Sequence, residues 1–137
     1  MVSVKTVRRI GAAALIAPGL DHLVSPSLTM LFAPTIMQTM FGQGFVAATI
    51  FFIVLGLFQL IWIWIILKSN TSLLMVLGVL GNLGSILVYS VSVSGVTIFS
   101  VLPQPLLPFA VLIKALETVF ILASVYVLKD ARMTGRP

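Results

Sequence analysis

Three stretches of this chain stay apolar for the thickness of a lipid bilayer, and that restricts its fold more than any other feature. Hydrocarbon about 30 Å thick needs about 20 apolar residues of helix to cross it. Gly44 to Leu67 carries Gln59 as its main polar interruption, Leu73 to Val93 carries Asn82 near its middle, and Phe109 to Leu128 carries Lys114 and Glu117. A fourth run, Ile10 to Val24, is shorter and ends in Asp21-His22. It reaches spanning length if its helix begins near Val4 and its arginines snorkel to the surface. The pattern predicts an all-α, four-helix transmembrane bundle, with helices at about 5–24, 44–67, 73–93 and 109–128 in a single membrane domain over 1–137.

Composition closes the alternatives. Of the 137 residues, 60% are apolar and 8% are charged, against about 25% charged in an ordinary soluble domain. Too few charges exist to cover an apolar core with a water-compatible surface. A mean hydropathy of +1.22 excludes a soluble globule, a disordered segment and a nucleic-acid module. The basic balance, eight Lys and Arg against three Asp and Glu, comes from a sparse charge set and not from a basic surface. The sequence has no cysteine, so disulfides, thiolate metal sites and a Cys nucleophile are absent.

The basic residues predict the orientation. Lys5, Arg8 and Arg9 precede helix 1, Lys68 lies between helices 2 and 3, and Lys129, Arg132 and Arg136 follow helix 4. The connections 25–43 and 94–108 contain no Lys or Arg. Seven of eight basic residues thus fall on one side of four spans, which the positive-inside rule makes cytoplasmic. Trp62, Trp64 and Tyr126 lie toward the same side, where amphipathic rings favour the headgroup layer. Both termini are expected in the cytoplasm, and the plasma membrane is the expected location. Residues 1–20 also have the layout of a signal peptide, but Pro18-Gly19-Leu20-Asp21-His22 is a poor cleavage context. The segment from Ser25 to Gly44 is mostly apolar, with Pro26, Pro34 and Gly42 as breakers, and reads as an interfacial or re-entrant element on the outer side.

Ionisable groups at bilayer depth cost about 2.5–3.5 kcal/mol each on insertion scales, so they normally face the bundle interior and pair. With a rise of about 1.5 Å per residue, Asp21, His22, Gln59, Asn82, Lys114 and Glu117 all fall within one slab about 10 Å thick. These six are expected to form one buried hydrogen-bonded cluster, whose mixed charges keep its net charge near zero. It serves either as a register device for four helices or as a proton-relay or ligand site through His22 and Glu117. On helix 3, Gly78, Gly81, Asn82, Ser85 and Tyr89 share a stripe, and Gly78, Gly81 and Ser85 are expected to permit close helix packing.

Other chemistry is thinly supported. His22 is the only histidine, which rules out a multi-His zinc or bis-His haem site within one copy. Met30, Met37 and Met40 offer soft thioethers suited to Cu(I), although methionines in an apolar segment more often pack. The Gly-x-x-Gly-x-x-Gly of residues 78–84 lies inside an apolar span and is no nucleotide cradle. No cofactor and no catalytic set follow from the residues.

His22-Leu23 with Pro26, Gly42-Gln43-Gly44-Phe45, Gln59, Gly81-Asn82 with Tyr89 and Gly95, and Lys114-Ala115-Leu116-Glu117 together resemble a group of small uncharacterised four-transmembrane-helix proteins of archaea and actinobacteria. The overall plan is also similar to that of the DoxX-like membrane proteins. Where that group would carry an arginine-bearing outer segment, this chain reads Val-Ser-Val-Ser-Gly-Val over Val91 to Val96. The resemblance implies a four-span fold. The functional expectation is a non-enzymatic accessory or structural subunit, partnered by lipid and by other membrane subunits or copies of itself. The alternatives are a small oligomeric proton-coupled transporter using Glu117, and a copper- or redox-linked membrane protein.

Overall fold

A computed structural model describes residues 2–32, 34–35, 45–69, 71–93 and 107–134. The described residues are helical almost throughout, with no strand among them. Five helical segments, α1 (Val4–Ala14), α2 (Ile16–Phe32), α3 (Phe45–Lys68), α4 (Ser72–Val93) and α5 (Leu107–Thr134), form a four-helix bundle in which α1 and α2 make one rod interrupted at Leu15.

Ser3 starts α1 by accepting the Thr6 amide on its Oγ at 3.1 Å, as a short polar cap does for an orphan donor. The break at Leu15 has a covalent cause. Pro18 has no amide hydrogen, so the Ala14 carbonyl loses its helical donor. The Leu15 amide turns back to the Ala12 carbonyl at 3.2 Å, and the ladder resumes with Gly19 donating to the Leu15 carbonyl at 2.9 Å. The rod Val4–Phe32 is long and apolar enough to cross a membrane, as are Thr49–Lys68 and Phe109–Met133. In α4 the apolar stretch Ser72–Val88 is shorter.

The first rod runs past the expected stop at Val24. Pro26 lies inside α2 without ending it. Side-chain hydroxyls bond within this stretch, Ser27 Oγ donating to the Leu23 carbonyl and Thr29 Oγ1 to the Ser25 carbonyl, each at 2.8 Å. These contacts keep the hydroxyls themselves satisfied within the helix in an apolar medium. The rest of the segment expected to lie at the outer interface, residues 33 and 36–44, is outside the described residues, as is 94–106. At the other end, α5 continues to Thr134, because Lys129-Asp130-Ala131-Arg132 is a helix-compatible polar run whose cations suit a helix C-terminus.

Packing pairs α2 chiefly with α3 and α1 chiefly with α5, while α4 leans on α5 and α3. Leu15, Ile66, Phe120, Ile121, Ala12 and Ala123 form the buried apolar cluster. Arg8 closes the same end of the bundle, its Nη1 donating to the Ile66 and Ser69 carbonyls at 2.8 Å each. These carbonyls belong to the end of α3, where the helix dipole favours a cation. Tyr126 donates its hydroxyl to the Val2 carbonyl at 3.3 Å. The start of α1 therefore meets the end of α3 and the last turns of α5, and the basic residues of these three segments share one end. Outward, the bundle presents large apolar side chains, among them Leu57, Phe58, Ile61, Trp64, Leu80, Leu87 and Leu122. A polar interior under an apolar exterior is the arrangement a bilayer demands.

Candidate functional site

The site begins with two helix faces that press backbone to backbone. Gly56 lies opposite α2 so closely that a Cβ there would stand 2.6 Å from the Leu23 amide nitrogen and 2.8 Å from the Gly19 carbonyl oxygen. Only glycine allows that approach. It brings His22 of α2 beside Gln59 of α3, one turn further along. The His22 Nδ1 is 2.8 Å from Gln59 Oε1, and the imidazole stacks on Phe52 with ring centroids 5.7 Å apart.

Gln59 is the hub. Its Nε2 donates to Asn82 Oδ1 at 3.0 Å and to Glu117 Oε1 at 2.7 Å. From α4, Asn82 Nδ2 donates to the Gly78 carbonyl at 2.9 Å and Ser85 Oγ donates to Glu117 Oε1 at 3.2 Å. From α5 itself, Lys114 Nζ donates to Glu117 Oε1 at 3.1 Å, to Oε2 at 3.0 Å and to Ser85 Oγ at 2.6 Å. Glu117 is fully buried, and all of these partners are donors, the complement a carboxylate requires. His22 Nδ1 stands 3.7 Å from Glu117 Oε1, within ion-pair range whenever the ring is protonated.

The structure thus joins His22, Gln59, Asn82, Ser85, Lys114 and Glu117 in one network across α2, α3, α4 and α5. Two expectations change. Asp21 is half-buried, and its hydrogen bond is to Ser25 Oγ of its own helix at 2.6 Å, because its position is about 100° around the helix from His22; it acts on His22 and Lys114 through its charge. Gly81 does not pack against another helix: it is exposed, and a Cβ there meets nothing within 4 Å. Its position lies about 60° from Gly78 around the axis, enough to turn it off the buried face. Gly78 is buried, and a Cβ there would collide with Trp62, whose Nε1 donates to the Leu74 carbonyl at 2.9 Å. Ser85, expected only as a packing residue, is a working member of the network.

Sequence reasoning missed Gly56, which stands in an apolar run with no polar neighbour to mark it. It also missed Thr49 and Ser124, both buried; the Ser124 hydroxyl has no hydrogen-bond partner among the described residues. Met30 is half-buried on α2, while Met37 and Met40 lie outside the described residues. Among the described residues no three His, Asp or Glu side chains gather in a way that holds a metal ion. Comparison with protein-family models, with curated proteins and with solved structures finds no match to this chain.

Proposed function

We propose that this small integral membrane protein is a non-enzymatic structural or accessory subunit of a membrane complex, built around a polar layer that locks its helices into one register. The observation that carries the reading is the Glu117 carboxylate, fully buried and surrounded by donors from α3, α4 and its own helix. A network whose members bond to one another fixes rotation and height of each helix, and buried polar groups are best attested in that registry role. Partners are then met on the apolar outer faces, either other membrane subunits or further copies of the chain. The basic end supports cytoplasmic termini.

Native purification in mild detergent, with identification of the co-purifying chains, tests this. Glu117→Gln is expected to lower the yield of the assembly. Wild-type protein that purifies alone as a monomer would overturn the subunit reading. A proton-coupled carrier is the second reading, favoured by the 3.7 Å approach of His22 to Glu117. Proton-driven uptake by vesicles containing the protein alone would select it.

A further inference from the structure

The hydrogen-bond network has a direction, and a backbone atom sets it. A peptide carbonyl can only accept, so the Asn82 atom bonded to the Gly78 carbonyl is the amide nitrogen. Asn82 therefore turns its oxygen to Gln59, which must answer with its own nitrogen. That leaves Gln59 Oε1 facing His22. An amide oxygen also only accepts, so His22 carries a proton on Nδ1. In the neutral ring Nε2 is then a bare lone pair, and no hydrogen bond to it occurs among the described residues.

We infer that His22 Nε2 is a proton-binding site inside the membrane, the acceptor that the network leaves open among the described residues. Asp21, Lys114 and Glu117 are the charged groups acting on the ring. With His22 neutral and these three ionised, their sum is −1. A proton on Nε2 brings that sum to zero. The added charge is shared over the ring, whose Nδ1 stands 3.7 Å from Glu117 Oε1, with the Nδ1 hydrogen still donated to Gln59. From α3 the ring meets Gln59 and Phe52, neither of which titrates. The cations of α1 lie at the opposite end of the rod. No bond other than N–H forms, and the proton comes from water.

This inference rests on bond direction and not on the subunit reading, so failure of co-purification leaves it standing. His22 is the only histidine, which makes its ring nitrogens assignable without mutation. Nitrogen-15 NMR of the full chain in phosphatidylcholine vesicles is expected to show, at about pH 8, a protonated Nδ1 and a bare Nε2. Acidification should add the second proton at Nε2. Asp21→Asn, which removes a nearby charge without removing a hydrogen bond to the ring, should lower the midpoint. Gln59→Leu should release the ring to the other tautomer. A proton on Nε2 at about pH 8, or an Nε2 still bare at about pH 4, overturns the inference. So does a midpoint that Asp21→Asn leaves unmoved.

Discussion

Gln59 Nε2 lies 2.7 Å from Glu117 Oε1, and this one bond ties α3 to α5 across 58 residues of sequence. The same nitrogen reaches Asn82, and the oxygen of the same amide reaches His22. An amide suits this place because it presents two donors and an acceptor in one plane without adding charge. One uncharged side chain therefore connects four helical segments in a medium that offers no water as a substitute partner.

Gln59→Leu is expected to loosen the whole bundle. It removes bonds to His22, Asn82 and Glu117 together while keeping the volume. Polar contacts inside membranes average about 0.6 kcal/mol each, so the three amount to about 2 kcal/mol. Unfolding by SDS in mixed micelles measures this directly. A curve superimposable on wild type would show that the network contributes nothing to stability.

Lys114, half-buried, and Glu117, fully buried, form an ion pair one helical turn apart. Removing one member of such a pair is far more damaging than replacing both. Glu117→Ala is expected to cost about 3–5 kcal/mol, because the Lys114 ammonium loses its carboxylate. The double variant Lys114→Met with Glu117→Leu should recover most of that loss. The comparison is read in the same micelles, and a double variant as unstable as the single would refute the pairing argument.

The spans and the depth of the polar residues were legible because both depend on simple periodicities. Apolar length reports bilayer thickness, and a rise of about 1.5 Å per residue converts position into height. Angle around the axis is a weaker guide. Asp21 and His22 are neighbours in sequence and nearly equal in height, yet only His22 faces Gln59. Gly78 and Gly81 belong to one apparent stripe, yet only Gly78 is covered. Which edge of a stripe is covered depends on where the neighbouring axis crosses, and that is a property of the pair of helices. Gly56 shows the same limit from the other side, since its role appears only when the α2 backbone lies against it.

Trp62 offers an optical test of the α3–α4 contact. Its indole occupies the space that a side chain at position 78 would need, and its Nε1 hydrogen is held by the Leu74 carbonyl. Gly78→Ala should push the ring aside and break that bond. Tryptophan emission, read in a Trp64→Phe background so that only Trp62 reports, is expected to shift in wavelength. Gly81→Ala in the same background should leave the emission unchanged.

Two glycines then separate packing from propensity. At Gly56 a methyl group has backbone atoms of α2 in its way, including the Leu23 nitrogen at 2.6 Å, and backbone cannot rotate aside as a long side chain can. Gly56→Ala must therefore move α2 away from α3, stretching the 2.8 Å contact between His22 and Gln59. At Gly81 the same methyl enters open space and gains the helix propensity of alanine over glycine, about 1 kcal/mol. The identical chemical change is thus expected to destabilise at one site and to stabilise at the other, as read by SDS unfolding midpoints. A drop at both positions would mean that the exposed face of α4 is covered by a partner in the membrane. Tolerance at Gly56 would mean that α2 and α3 do not meet at that glycine, and His22 would lose the contact that aims it into the network.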